Sequence, residues 1–184
     1  MFKTFFCLSL LACAPYSIVK QAGSNPLRDA AGKLKLEAID FSQVKVNGLA
    51  EADALARNAA DSEFRAYDTD KRKLDANFRL EVSKRIPKLI GGGDDGYRLV
   101  VHAVDLNPGK DLSLEKPEAG LAGSTRATFV VDLCDVKMTV LDRISIEVGM
   151  AQTAAEPQAS QRLRALGSRL GESVAEYLKT RAGS

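Results

Sequence analysis

The chain has 184 residues, of which 27% are charged and 45% apolar, with a formal net charge of +2. That size suits one domain with a real core, and the composition excludes disorder over most of the length. A balance this close to neutral, without a clustered basic face, gives no case for a nucleic-acid partner.

The first thirteen residues read as an address. Lys3 is a short positive region, Phe5 to Leu11 an apolar run, and Leu10-Leu11-Ala12-Cys13 closes it. The run falls far short of the ~20 residues needed to cross a hydrocarbon core, and such segments are set aside from fold reasoning. Ala12-Cys13-Ala14 offers a small-x-small site to an ordinary secretory peptidase, but Pro15 follows it and a proline there hinders cleavage. Leu10-Leu11-Ala12-Cys13 has no such conflict, and it resembles the lipobox of bacterial lipoproteins. The resemblance implies cleavage before Cys13, diacylation of its thiol and acylation of the new amine. Several acyl chains give stable membrane anchoring, since each buried methylene contributes about 0.8 kcal/mol. Ala14 rather than an aspartate after the cysteine implies the outer membrane, with the domain facing the periplasm. Residues 1–12 are therefore read as signal peptide, 13–32 as lipidated cysteine and flexible tether, and 33–184 as a single globular domain.

Cysteine usage fits that address. Cys7 leaves with the signal and Cys13 is taken by lipid, so Cys134 has no partner for a disulfide. Cys134 sits in an apolar run and reads as a small core residue. A catalytic thiol would need a lowered pKa and a positioned base, and the one histidine, His102, falls in a different expected strand.

Ala14 to Gly32 carries Pro, Gly, Ser and Asn with no period, which reads as a tether with a reach of roughly 25 Å. Lys33 to Val46 alternates in parts and reads as a first strand, interrupted near Ser42. Asn47-Gly48 turns the chain into a short helix over Ala50 to Asn58. From Asp61 to Ile90, Phe64, Tyr67, Leu74, Phe78, Val82, Ile86 and Leu89 recur at three- and four-residue steps, the stripe of a long helix. Asp61 or Ser62 caps it, its opposite face reads as solvated, and Pro87 ends it near Ile86.

Gly91 to Gly96 leaves a helix and enters a strand, so it reads as a turn rather than a phosphate cradle. Asp94 and Asp95 lack the spacing of a calcium loop. Tyr97 to Leu106 is β-branched and apolar, a second strand, with His102 as a structural histidine. Lys110 to Ser124 is a long unpatterned loop and the first place to expect a recognition surface. Thr125 to Val140 shifts its period-2 register at Cys134 and Asp135, which predicts a bulge. Leu141-Asp142-Arg143 then predicts a turn into Ile144 to Met150, completing an antiparallel hairpin. Glu156-Pro157 opens a last helix with Leu163, Leu166, Leu170, Val174 and Leu178 as its stripe. Gly167, Gly171 and Ala175 lie beside that stripe at steps of four and predict close approach to the sheet or to the other long helix.

The order predicts an α+β fold: a mostly antiparallel sheet of about four strands with two long helices packed on one face, or alternatively a half-barrel around the helices. The overall plan of lipobox, tether, small mixed domain and the run GLAGSTRATFVVDL (Gly120 to Leu133) resembles uncharacterised small envelope lipoproteins of bacteria. No CxxC, HExxH, Walker loop, nucleotide-binding fingerprint or nucleophile elbow is present. No catalytic residue, cofactor or metal is expected. Asp132 and Asp135 stand three apart and point to opposite faces of a strand unless a bulge realigns them. The first expectation is a lipid-anchored, non-catalytic interaction or assembly module with an envelope protein partner. The alternatives are a periplasmic carrier of a lipid or other apolar ligand held between sheet and helices, and an enzyme using Asp132, Asp135 or Cys134.

Overall fold

The computed structural model describes residues 15–60, 64–91, 96–109, 124–151 and 158–183. Its centre is three long antiparallel strands, β5 (Tyr97–Asn107), β6 (Thr125–Cys134) and β7 (Val140–Met150). Each alternates as the sequence does. Leu99, Val101, Phe129, Val131, Leu133, Ile144 and Ile146 are buried on one face, while His102, Val130, Arg143 and Ser145 lie on the other, partly open face.

The remaining strands are short and flank this centre. β1 (Ser17–Lys20) pairs antiparallel with β7. β2 (Leu34–Leu36) and β3 (Lys45–Val46) both run parallel to β5 along its other side. Between them Asp40 forms a bridge to His102, and its carboxylate accepts the Ser42 N–H at 2.8 Å. The interruption expected near Ser42 is thus an Asp-led kink in one extended segment. Asn47 (φ 53) and Gly48 (φ 78) make the two-residue turn to β4 (Leu49–Ala50), the left-handed pair such a hairpin requires.

Three helices complete the described fold: α1 (Glu51–Arg57), α2 (Tyr67–Arg85) and α3 (Ala159–Ala182). α3 lies on β6 and β7, and α2 makes its main contact with α3. Leu74, Phe78 and Val82 of α2 and Leu166, Leu170, Val174 and Leu178 of α3 are fully buried. The small residues of α3 face α2. A Cβ on Gly167 would fall 2.1 Å from the Leu74 carbonyl oxygen, and one on Gly171 would fall 2.9 Å from that of Phe78. Of the two approaches expected for this stripe, the one to the other helix is the one made.

Several expectations need correction. The sheet is mixed, has about seven strands rather than four, and is open, with β1 and β4 at its edges; of the two long helices expected on one face, α3 packs on it while α2 packs chiefly on α3. The tether expected over Ala14 to Gly32 is largely part of the domain, because β1 pairs with β7 and Leu27 and Ala30 are buried. The hairpin turn lies at Asp135 to Thr139, not at Leu141-Asp142-Arg143. Asp135 closes that turn by accepting the N–H groups of Lys137 and Thr139 at 2.9 and 2.8 Å. The register slip is real but sits between Leu133 and Cys134, where β6 meets β7 at Val140 and skips Leu141. Finally, the polar face of α2 is not simply solvated: Lys71 pairs with Glu51 at 2.7 Å, and Asp75 accepts the Ile39 N–H at 2.9 Å. The cap expected at Asp61 or Ser62 is not that of α2, which starts at Tyr67 with Ala66 at its N-cap. Asp61 and Ser62 themselves, Cys13, Gly92 to Asp95, most of the Lys110 to Ser124 loop and Glu156-Pro157 lie outside the described residues.

Candidate functional site

The residues singled out by chemistry do not converge. Cys134 is buried, and burial together with Asp132 and Asp135 pushes its thiol above the ordinary range, the opposite of an activated nucleophile. Asp132 takes both arms of the Arg143 guanidinium, each at 2.6 Å. Asp135 is held below the usual carboxylate range, chiefly by the Thr139 N–H, and serves its turn. The two aspartates are committed to different partners.

What the fold does assemble is a row of charges on the open face of the sheet. His102 Nδ1 lies 3.1 Å from Asp40 Oδ2, its Nε2 lies 3.8 Å from Asp132 Oδ2, and Arg143 closes the row. Asp40 is held low first by the Ser42 N–H and in part by His102. Asp40 therefore orients His102 on one side, and Asp132 stands within ion-pair distance on the other. The arrangement can fix charge, and it can recognise charge.

A second network lies under the sheet. Asp142, fully buried, accepts from Tyr177 Oη at 2.6 Å, Arg181 Nε at 2.7 Å and the Ala22 N–H at 2.7 Å. Arg181 continues to the carbonyl of Ala22 at 3.0 Å and to Asn25 Oδ1 at 3.0 Å. Burial, then Asp142, pushes the Tyr177 phenol well above its ordinary range. This network seals the N-terminal segment against the last turns of α3.

The third feature is an open recess of about 430 Å³ where α2 and α3 end. Leu27, Ile86, Leu89 and Ala182 give it an apolar floor, and Arg28 and Lys88 stand on its rim. Arg85 is also there but is engaged by Glu81 and Glu172. The space between sheet and helices, by contrast, is filled by the core.

Sequence reasoning missed all three features. Asp142-Arg143 carries the visible signal, a charged pair inside a β-branched run, but taken alone it has the chemistry of a turn. Among the described residues no helix is long and apolar enough to cross a membrane, and no group of His, Cys, Asp and Glu is placed to hold a metal.

No protein-family model matches the sequence, and no curated protein is detectably similar to it. Solved structures resemble it distantly. One is PelC from Paraburkholderia phytofirmans, described as a dodecamer, with 8% identity over 87% of this chain and 95% of that one and a TM-score of 0.41. Another, an uncharacterised protein, is 12% identical over 86% of this chain and 98% of that one, with a TM-score of 0.45. A third, a candidate lipoprotein from Caulobacter crescentus CB15, is 14% identical over 58% of this chain and 81% of that one, with a TM-score of 0.37. Likeness at this distance assigns neither family nor activity to the chain.

Proposed function

We propose that the protein is a lipid-anchored component of the bacterial cell envelope, attached through Cys13 to the outer membrane and facing the periplasm, and that its domain acts as a non-catalytic interaction or assembly module. The observation that carries this reading is the lipobox-like run Leu10-Leu11-Ala12-Cys13, which stands just ahead of the fold. Tyr16 packs edge-to-face on Tyr177 with ring centroids 5.5 Å apart, and β1 starts at Ser17. Only Ala14 and Pro15 separate Cys13 from that first contact in the sequence. Two features support the non-catalytic part: the raised Cys134 thiol and the separate commitments of Asp132 and Asp135.

Labelling with radioactive palmitate tests the anchor. Label is expected in the wild-type chain, absent from the Cys13→Ser variant, and an unprocessed precursor is expected to accumulate under globomycin. Label-free wild-type protein would defeat the reading. For the module, crosslinking in intact envelopes is expected to join the domain to a distinct protein partner.

One observation favours a second reading, carriage of an apolar ligand. The site would be the recess on Leu27, Ile86 and Leu89, since the interior between sheet and helices is packed. Native mass spectrometry of protein drawn from the envelope in mild detergent tests it, with a bound mass expected and its loss expected on Ala182→Phe.

A further inference from the structure

The recess at the ends of α2 and α3 has a rim of one sign. Arg28, Arg85, Lys88 and Lys179 line it, and among the described residues no acidic side chain does. Two of these cations have a structural reason to be there. Arg85 and Lys179 stand in the last turns of their helices, where exposed carbonyls attract positive charge, and Arg85 is also engaged by Glu81 and Glu172. Arg28 and Lys88 have no such reason. Both sit on turns outside the helices, both are exposed, and neither forms an ion pair with a described carboxylate.

The backbone sets those two cations around one floor. The turn that carries Arg28 is closed by the Arg28 N–H on the Asn25 carbonyl at 3.3 Å and the Ala30 N–H on the Leu27 carbonyl at 3.2 Å. The turn that carries Lys88 is closed by the Leu89 N–H on the Ile86 carbonyl at 3.0 Å. The Gly32 N–H then donates to the Lys88 carbonyl at 2.9 Å and the Leu34 N–H to the Leu89 carbonyl at 3.0 Å, which ties the two turns together. Arg181 holds the first turn from behind through Ala22, Ser24 and Asn25. Leu27 and Ile86, buried to 0% and 5% exposure, form the floor with Leu89. The volume of about 430 Å³ lies at the small end of ligand sites, which span about 300–1,000 Å³.

We propose that the recess takes a single-chain amphiphile with an anionic head, a long-chain fatty acid or an acidic lysophospholipid, its chain on the floor and its head against Arg28 and Lys88. This rests on the carrier reading above and gives that ligand its class. Charge complementarity selects it, because a neutral apolar ligand uses only the floor and a small polar anion only the rim. The arginine fork suits a carboxylate or a phosphate alike, through two parallel hydrogen bonds. The small volume suits one acyl chain rather than the two of a phospholipid.

The full protein, stripped of bound lipid, is titrated with cis-parinaric acid, a fatty acid whose fluorescence rises in an apolar site. Oleate and 1-oleoyl lysophosphatidate, which carry the two anionic heads, and monoolein, which carries a neutral one, then compete for it below their aggregation concentrations. At least one of the anions is expected to displace the probe at about tenfold lower concentration than monoolein. Arg28→Gln with Lys88→Gln should remove that advantage. Lys45→Gln with Lys73→Gln, the same change of charge on exposed lysines outside the recess, should keep it. Equal competition by all three, or an equal loss in the two double variants, overturns the anionic head and leaves an apolar carrier standing. Ala182→Phe and, as a second block outside the helices, Ala31→Phe should each abolish probe binding while the thermal midpoint holds. Probe binding that survives both blocks, or none in the wild-type chain, defeats the carrier reading and this proposal with it.

Discussion

Asp142 and Arg143 are neighbours on β7, and because side chains alternate across a strand they serve opposite faces of one sheet. Asp142 points inward to Arg181 and Tyr177, and the Asp142 and Arg181 side chains are 1% and 5% exposed. Arg143 points outward to Asp132, and although Asp132 is 4% exposed the guanidinium is 43% exposed. The same ion-pair chemistry thus has two consequences. Under the helices a lost partner leaves a charge that water cannot reach, whereas on the open face water replaces the partner.

The largest expected effect tests the inner network. Arg181→Ala strands Asp142 and should cost about 3–5 kcal/mol, seen as a lower urea midpoint with faster amide exchange over residues 17–30. Replacing both charges, Asp142→Leu with Arg181→Met, should recover much of that loss. If the single variant costs as little as an open-face one, burial is not what separates the two networks. Next comes Gly167→Ala, whose new Cβ must push against the Leu74 carbonyl, and a loss of about 1–3 kcal/mol is expected from overpacking. Arg143→Ala follows at about 1 kcal/mol, discounted for exposure, and added salt should shrink that difference.

The smallest effect is one of pH. Asp40 and Asp135 both titrate below the unfolded value of 3.8, so the stability they contribute is fully present above that pH. It is lost as pH falls through their lower folded values, because the unfolded chain then binds the proton first. Thermal midpoints measured from pH 5 down to pH 2.5 should fall less steeply for Asp135→Asn than for wild type.

The same contrast explains what could be read from the sequence. α2, α3 and the inner faces of β5 to β7 were legible because their apolar residues repeat at 3.6 or 2, and burial followed the repeat. Pro87 marked the end of α2 for a local reason, and Asn47-Gly48 marked its turn. The charged residues misled where their partners are far away in sequence. Asp142-Arg143 imitates a turn until Arg181 and Asp132 are brought to it, and no local pattern announces either. β1 was hidden for the same reason: four residues with exposed side chains become a strand only because β7 stands beside them, and Leu27 is buried by elements it does not adjoin in sequence. The recess is likewise a product of tertiary placement, since Leu27, Ile86 and Ala182 meet there from three separate parts of the chain.

Arg181 also sets a timetable. Its contacts with Ala22, Ser24 and Asn25 join segments 156 to 159 residues apart, so the front of the domain cannot close until α3 is in place. Contacts of such long range slow folding and leave early segments exposed meanwhile. The front of the domain is thus held open until α3 docks, and the fold closes through contacts made by that helix.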